Sequence, residues 1–165
     1  MYTDILVIGA GPSGLHAAKA AGKSGGQVVL AGMEPYLPYW RPRLPEIVHT
    51  GDPVDSILIE TAAKLEAAGI RFLPSKKAER IDPDKKTVFW EDGDSTEYGA
   101  LVLACGSFPN FPPVPFTEKT YPLRTYEDAL VIRRESVRAG KVFVVGGGIL
   151  GLEAAFAVSQ LGIPV

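Results

Sequence analysis

Apolar and polar positions change period several times along the chain, and each change marks an element. Residues 4–8 read as the first strand, its apolar run unbroken from Ile5, as expected for a parallel strand covered on both faces. Residues 13 to about 23 follow with small side chains at helical spacing (Ala17, Ala18, Ala20, Ala21), a helix able to lie close against a sheet, and Gly25-Gly26 stops it. Residues 27–31 are a second apolar strand. Apolar positions at helical spacing (Ile57, Ile59, Ala62, Ala63, Leu65, Ala68) predict a helix over residues 56–68, stopped by Gly69, and Ile70–Leu73 reads as a short strand. Between residues 76 and 98 the alternation shortens to a small antiparallel meander. Its strands are residues 78–81, 87–91 and 96–98, separated by an Asp-Pro turn at 82 and an Asp-Gly turn at 92. A further buried strand covers residues 101–104, and a proline-rich crossover covers 110–115. A helix is predicted from Thr125 to about Ala139, with Thr125 as N-cap and Asp128 placed to complete a near capping box. A strand at 141–145 and a helix at 149–161, ended by Gly162, close the chain. The pattern predicts an α/β fold: a Rossmann-like parallel sheet with flanking helices plus the small β-meander.

The first strand–helix junction carries the chemistry. Gly9-Ala-Gly-Pro-Ser-Gly14 joins a buried strand to a helix, the arrangement of a nucleotide-binding βαβ unit. In such a unit Gly9 makes the tight turn, Gly11 lets the backbone approach a pyrophosphate, and Gly14 lets helix and strand pack closely. The helix N-terminus then offers N–H groups and a positive dipole end to phosphates. Alone the motif is weak. A near-repeat, Gly146-Gly-Gly-Ile-Leu-Gly151, opens a second strand–turn–helix and strengthens it considerably. The acid that holds a ribose is expected about 20 residues past the last glycine. Glu34 has that spacing from Gly14, although it lies past the expected strand end, where Gly32 stands first. The second unit has only fourteen residues after Gly151, so its second strand and acid are missing, and the chain reads as an amino-terminal fragment.

Between residues 35 and 46 the chain packs four prolines, three aromatics and two arginines together. That density rules out a regular helix there. Such a loop suits a ligand with a flat ring and phosphates, and equally a stiff surface loop packing its aromatics on the core. Composition adds only exclusions. A net charge of −2 gives no reason to expect nucleic acid or an anionic membrane as partner. No apolar run approaches the ~20 residues of a bilayer span, and no secretion signal stands at the front, so a soluble, cytoplasmic protein is expected. One cysteine precludes an intrachain disulfide, and no metal-ligand spacing or acid–base constellation is present.

These motifs, in this order, resemble the two-dinucleotide-binding-domain flavoproteins of the pyridine-nucleotide–disulfide oxidoreductase superfamily. Within it the likeness is to the subgroup without a redox disulfide: NADH–rubredoxin and ferredoxin reductases and the flavoprotein part of assimilatory nitrite reductase. Beyond the glycine turns it rests on the stretches from Glu34 to Leu44, Lys77 to Asp82, Tyr98 to Ser107, Leu123 to Ala129 and Val144 to Glu153. The resemblance implies an FAD/NAD(P)-binding fold, with residues 1–115 as the amino-terminal part of the FAD domain and 116–165 as the start of an incomplete NAD(P) domain. It implies an FAD pyrophosphate on Gly9, Gly11, Pro12, Ser13 and Gly14, Glu34 on the adenosine ribose, and Ala78 beside the adenine. Arg41, Pro42, Ala104, Cys105, Gly106 and Arg124 would approach the same cofactor, and Gly146, Gly148, Gly151 and Glu153 would serve NAD(P)H. The implied function is an FAD-dependent oxidoreductase passing hydride from NAD(P)H to flavin and electrons on to a small redox protein or other acceptor. The alternative is a catalytically silent dinucleotide-binding fragment or subunit completed by a partner segment. A Rossmann-type enzyme using NAD or S-adenosylmethionine alone fits the two fingerprints and the aromatic–arginine loop less well.

Two departures stand out. Cys105 replaces the threonine of an Ala-Thr-Gly turn, and Glu46 lies where many such reductases carry a lysine; an acid there would repel a negative reduced flavin. Several residues have plainer readings. Cys105 is expected to be a small buried residue at a tight turn, since neither arrangement of redox cysteines is present. His16 reads as structural, His49 has no role, Trp90 reads as packing, and Arg133-Arg134 as a solvated helix face. Glu153 suits a helix surface as well as a nucleotide.

Overall fold

The computed structural model describes residues 1–111 and 119–165, which form two compact units. The first comprises Met1–Tyr39 and Leu58–Gly106, the second Trp40–Ile57 and Ser107–Val165. From residue 112 on, the expected crossover lies outside the described residues, as does the expected domain boundary at 115.

The first unit is a six-stranded sheet built from β1 (Tyr2–Ile8), β2 (Val28–Ala31), β3 (Ile70–Leu73), β4 (Ala78–Asp82), β5 (Thr87–Trp90) and β6 (Ser95–Leu103) in the order β3-β2-β1-β6-β5-β4. β3, β2, β1 and β6 run parallel, while β5 and β4 join antiparallel at one side. One face buries Leu6, Ile8, Val29, Ala31, Val88, Trp90 and Tyr98. The other buries Val7, Leu15, Ala18, Val28, Leu30, Leu65 and Ile70 beneath helices α1 (Pro12–Gly22) and α3 (Ala62–Ala67). Alternate positions of β1 from Ile5 to Ile8 therefore feed two separate cores, which is why this part of its sequence is apolar without interruption. Register places Ile8 opposite both Ala31 and Leu103, so β1, β2 and β6 end together at one edge of the sheet. Ligands of open parallel sheets bind at that edge.

Two expectations change here. The separate strands at 96–98 and 101–104 are one nine-residue strand, β6. Pairing with β1 continues on both sides of Gly99, from Tyr98 opposite Thr3 to Ala100 opposite Ile5, and a side chain at 99 would meet the Asp4 carbonyl oxygen at 2.7 Å. Its first half pairs antiparallel with β5, and nearly its whole length pairs parallel with β1. The helix expected over 56–68 is likewise shorter. Leu58 forms an antiparallel bridge to Tyr39, the Ile59 N–H donates to the Pro38 carbonyl at 2.8 Å, and the helix begins only after Thr61 caps it. Tertiary pairing overrides the helical periodicity.

The second unit contains α2 (Leu44–Thr50), α4 (Tyr126–Ala139) and α5 (Ile149–Ser159), with 3-10 turns at Arg41–Arg43 and Val54–Ile57. α2 begins inside the proline-dense stretch that the sequence reading treated as helix-free. Pro45 falls in its first turn, where the missing N–H would have no partner in any case. Gly51, at φ 74, closes α2, and Arg133 of α4 donates to the Val48 carbonyl at 3.1 Å and to the His49 carbonyl. Arg133 thus satisfies helix-end carbonyls and complements the dipole instead of lining a solvated face. Its neighbour Arg134 pairs with Glu135 at the surface, as expected of a solvated position. The capping box of α4 is complete, with Thr125 and Asp128 each accepting from the other's N–H. Residues 141–145 form no strand; the Val142 N–H donates to the Pro164 carbonyl at 3.0 Å, but the stretch pairs with no ladder among the described residues. No helix among the described residues is long and apolar enough to cross a membrane.

Candidate nucleotide-binding site

The glycine turn between β1 and α1 separates the three glycines by cause. Gly9 has φ 111, and a side chain there would lie 2.1 Å from the Ala104 carbonyl oxygen. At Gly14 it would lie 1.7 Å from the carbonyl oxygen of Gly9. Both positions are closed by the protein's own backbone. Gly11 is not: its φ of −80 and ψ of −177 suit any residue, and an added Cβ would meet nothing within 4 Å. Nothing among the described residues demands glycine at 11, and the space above its backbone is open. As N-cap, Gly11 supplies no side-chain acceptor, Pro12 has no N–H, and the first turn carries no acid. The remaining N–H groups and the dipole are left for an anion. Exposed Ser13 and half-buried Pro12 lie in this turn, as the sequence placed them.

β6 delivers the expected second wall. The Ala104 N–H donates to the Ile8 carbonyl at 2.8 Å, which sets Ala104 directly against Gly9 and Gly14. Cys105 follows with its Sγ 3.8 Å from the Ile8 carbonyl oxygen, but it is exposed, which corrects the expectation of a buried residue. The chain leaves the sheet edge just beyond Leu103, and Gly106 (φ 71) turns it.

At the end of β2 the structure explains why the acid stands at 34. A side chain at Gly32 would meet the Cβ of Ala10 at 2.8 Å and the Phe72 ring at 3.4 Å, so an acid immediately after the strand has no room. Glu34 is half-buried, and its carboxylate accepts a hydrogen bond from the Tyr39 hydroxyl. Its carbonyl accepts from the Ser75 N–H at 3.1 Å, while the Lys76 N–H donates to the Gly32 carbonyl at 2.8 Å. These bonds zip the Glu34 loop to the segment leading into β4, whose first residue is the half-buried Ala78. Lys76 fixes that segment from the other side by bonding Asp92 and Asp94, the latter at 2.6 Å. Asp92 first, then Asp94, raises the Lys76 ammonium above its ordinary pKa. The residues expected at ribose and adenine are thus tied together by backbone hydrogen bonds. Sequence reasoning missed both Tyr39 and Lys76: Lys76 bonds residues distant in the chain, and the Tyr39–Glu34 bond, though local, follows no recognisable spacing.

In the second unit, Arg41 donates through Nη1 to the Arg124 carbonyl at 2.7 Å, and the Arg124 N–H donates to Asp128 at 3.0 Å. Two of the expected cofactor arginines are therefore neighbours, held by the start of α4. Pro42 lies in the 3-10 turn beside Arg41. Glu46 is held by Arg43, whose Nε donates at 2.9 Å and Nη2 at 2.7 Å. The Arg43 hydrogen bonds keep this carboxylate below its usual pKa range, and together the two side chains carry no net charge.

The second glycine turn repeats the first. Gly146 has φ 116, Gly148 caps α5 at φ −74 and ψ 170 without a side-chain acceptor, and a Cβ at Gly151 would lie 2.3 Å from the Gly146 carbonyl oxygen. Glu153 is exposed on α5. Phe143, Val145, Ile149, Leu152 and Phe156 are also exposed, so this segment buries little of its own apolar surface. His16 and His49 are both exposed, and Trp90 is buried with its indole N–H on Thr96 at 2.8 Å, a packing role. No cluster of three metal-ligating side chains exists among the described residues.

The sequence profile described as pyridine nucleotide-disulphide oxidoreductase matches residues 3–165. The chain is 41% identical over 162 residues to the NADH-rubredoxin oxidoreductase of Clostridium acetobutylicum, covering 98% of this chain and 43% of that protein. The crystal structure of NADH:rubredoxin oxidoreductase from that organism matches with a TM-score of 0.92 at 42% identity, over 99% of this chain and 43% of the other. The ferredoxin–NAD(+) reductase component of the p-cumate 2,3-dioxygenase system of Pseudomonas putida is 32% identical over 167 residues, 99% of this chain and 42% of that one. The chain spans less than half the length of these relatives.

Proposed function

We propose, for a chain that belongs to the pyridine nucleotide-disulphide oxidoreductase family, that the whole protein is an FAD-dependent NAD(P)H oxidoreductase delivering electrons to a small redox protein. Bound FAD would supply the redox chemistry, accepting hydride from NAD(P)H and releasing electrons to the acceptor. The chain's own residues bind and orient. The α1 N-terminus and the Gly9, Gly11, Pro12, Ser13 and Gly14 turn take the pyrophosphate, Glu34 the adenosine ribose, and Ala78 the adenine border. Ala104, Cys105 and Gly106 wall the turn. In the second unit, Arg41, Pro42 and Arg124 are assigned to FAD, and Gly146, Gly148, Gly151 and Glu153 to NAD(P)H. Residues 1–115 then belong to the FAD domain and 116–165 open the NAD(P) domain.

One observation carries this reading: in the first turn Gly11 is a glycine that the protein's packing does not need, at a helix N-terminus with neither a side-chain cap nor an acid. The names of the relatives, a rubredoxin and a ferredoxin reductase, support a small iron–sulfur-type electron carrier as acceptor. The test is the visible spectrum of the purified whole protein under anaerobic conditions. Flavin bands that bleach with NADH or NADPH and return on adding rubredoxin or ferredoxin are expected. A folded, colourless protein that takes up no added FAD refutes the proposal and leaves the silent binding module.

A further inference from the structure

We infer that Tyr39 is a positioning residue for nucleotide binding: its buried hydroxyl holds the Glu34 carboxylate in the orientation that meets the ribose diol. The inference rests on the reading of Glu34 as the ribose acid and adds a residue to that site. Tyr39 is 4% exposed, yet its hydroxyl donates to Oε2 of Glu34. A phenol in a packed interior needs a hydrogen-bond partner, and here the partner is the side chain already singled out by its spacing. The backbone that carries the ring is pinned, and a second ring packs against it. Tyr39 bridges Leu58, the adjacent Pro38 carbonyl accepts from the Ile59 N–H at 2.8 Å, and Tyr36 packs edge-on at 6.5 Å and 75°. Pro35 and Pro38 stiffen the intervening loop. A glutamate side chain has three rotatable bonds and loses considerable entropy when fixed. In this loop that cost is met in the folded protein, before a nucleotide arrives, which is the physical content of preorganisation. An ionised carboxylate offers about four lone-pair positions, so one phenolic donor does not exhaust its capacity. Tyrosine suits the task because it orients the carboxylate without neutralising it, whereas a cation there would compete with the ribose for the charge.

The test uses the whole apoprotein as wild type, Tyr39→Phe, Glu34→Ala and the double variant, titrated with FAD and with its analogue carrying 2′-deoxyadenosine. Tyr39→Phe keeps the ring and its packing. It is expected to weaken FAD binding by about three- to tenfold, the worth of one hydrogen bond, and to weaken the deoxy analogue clearly less. In the Glu34→Ala background, Tyr39→Phe is expected to change nothing, as a double-mutant cycle of one coupled unit requires. If Tyr39→Phe leaves FAD affinity intact, or weakens both ligands equally while Glu34→Ala still discriminates between them, the tyrosine is structural and the inference falls alone. If Glu34→Ala itself leaves both affinities unchanged, the ribose assignment of Glu34 falls, and the role of Tyr39 falls with it.

Discussion

Substituting alanine at Gly11 and at Gly14 should damage two different properties, and the contrast tests the division of labour within the turn. At Gly14 the new Cβ would sit 1.7 Å from the Gly9 carbonyl oxygen, far inside van der Waals contact, and the obstacle is backbone that cannot swing aside. The start of α1 must lift away from β1, disturbing the packing of Leu15 and Ala18, both essentially inaccessible to solvent. Overpacking of this kind costs about 1–3 kcal/mol and occasionally more, and a backbone clash belongs at or above the top of that range. At ~2–4 °C per kcal/mol for a chain of this size, the melting temperature should fall by roughly 6–12 °C. Gly11→Ala meets no protein atom within 4 Å and requires no strained φ, so unfolding should move by under about 1 kcal/mol. Its Cβ would instead project toward the bound pyrophosphate. Displacing the phosphate from one charged hydrogen bond costs about 1.5–3 kcal/mol, or roughly ten- to 150-fold in FAD affinity. The assays are thermal unfolding of the apoproteins and fluorescence titration with FAD. Wild-type FAD affinity in Gly11→Ala, or wild-type stability in Gly14→Ala, would refute the reasoning.

Three further outcomes follow from contacts described above. Thr125→Ala removes one half of the α4 capping box and should destabilise the protein by about 0.5–2 kcal/mol in denaturant unfolding; an unchanged midpoint would mean that the box contributes nothing. Trp90→Phe leaves the buried Thr96 hydroxyl without its indole partner, so a stability loss of about 1–3 kcal/mol with unaltered FAD affinity is expected; a selective loss of FAD binding would instead give Trp90 a cofactor role. Glu60 is ion-paired with Lys19 and, at 3.4 Å, with Lys64, and Lys19 chiefly holds its carboxylate below the ordinary range. A depressed folded-state pKa contributes stability that is fully present above the unfolded value, about 4.3, and is lost as pH falls through the folded value. Lys19→Met should therefore lower the unfolding midpoint at pH 7 and converge on wild type as pH falls through the folded-state pKa of Glu60, and a gap that stays constant as the pH is lowered would remove Glu60 from the account.

What the sequence made legible was chemistry local to a few residues. The capping box at Thr125 and Asp128 depends on a three-residue spacing and nothing else, and it appears as read. The apolar run of β1 announced a strand covered on both faces, and each face has its core. Errors arose where a distant part of the chain decides the outcome. Residues 56–61 carry helical periodicity, but Leu58 is claimed by Tyr39. Gly99 resembles a strand break, yet it lies over the Asp4 carbonyl within a continuous β6. Prolines 35, 38, 42 and 45 concealed α2 because Pro45 is tolerated in its first turn. In the candidate site, spacing singled out Glu34 but not the Tyr39 hydroxyl that donates to it, and position gave Glu46 a charge that Arg43 cancels.

The two glycine turns together show why such a motif survives as a readable pattern. In both, the third glycine is forced by the carbonyl oxygen of the first, at 1.7 Å for Gly14 against Gly9 and 2.3 Å for Gly151 against Gly146. Both first glycines take φ values, 111 and 116, that side chains rarely adopt. These constraints lie within six residues, so they operate whatever surrounds the turn. The clash of Gly9 with Ala104 is different in kind, since it depends on β6, and Gly146 has no counterpart to it within 4 Å. Removing the tertiary contact therefore leaves the first and third glycines still required, and the turn keeps its shape by its own backbone. The middle glycine obeys neither rule: at Gly11 and Gly148 alike the dihedrals are ordinary and the space is open. Local sterics account for two of the three glycines in each turn, and the remaining one is the position at which the proposed pyrophosphate would approach the backbone.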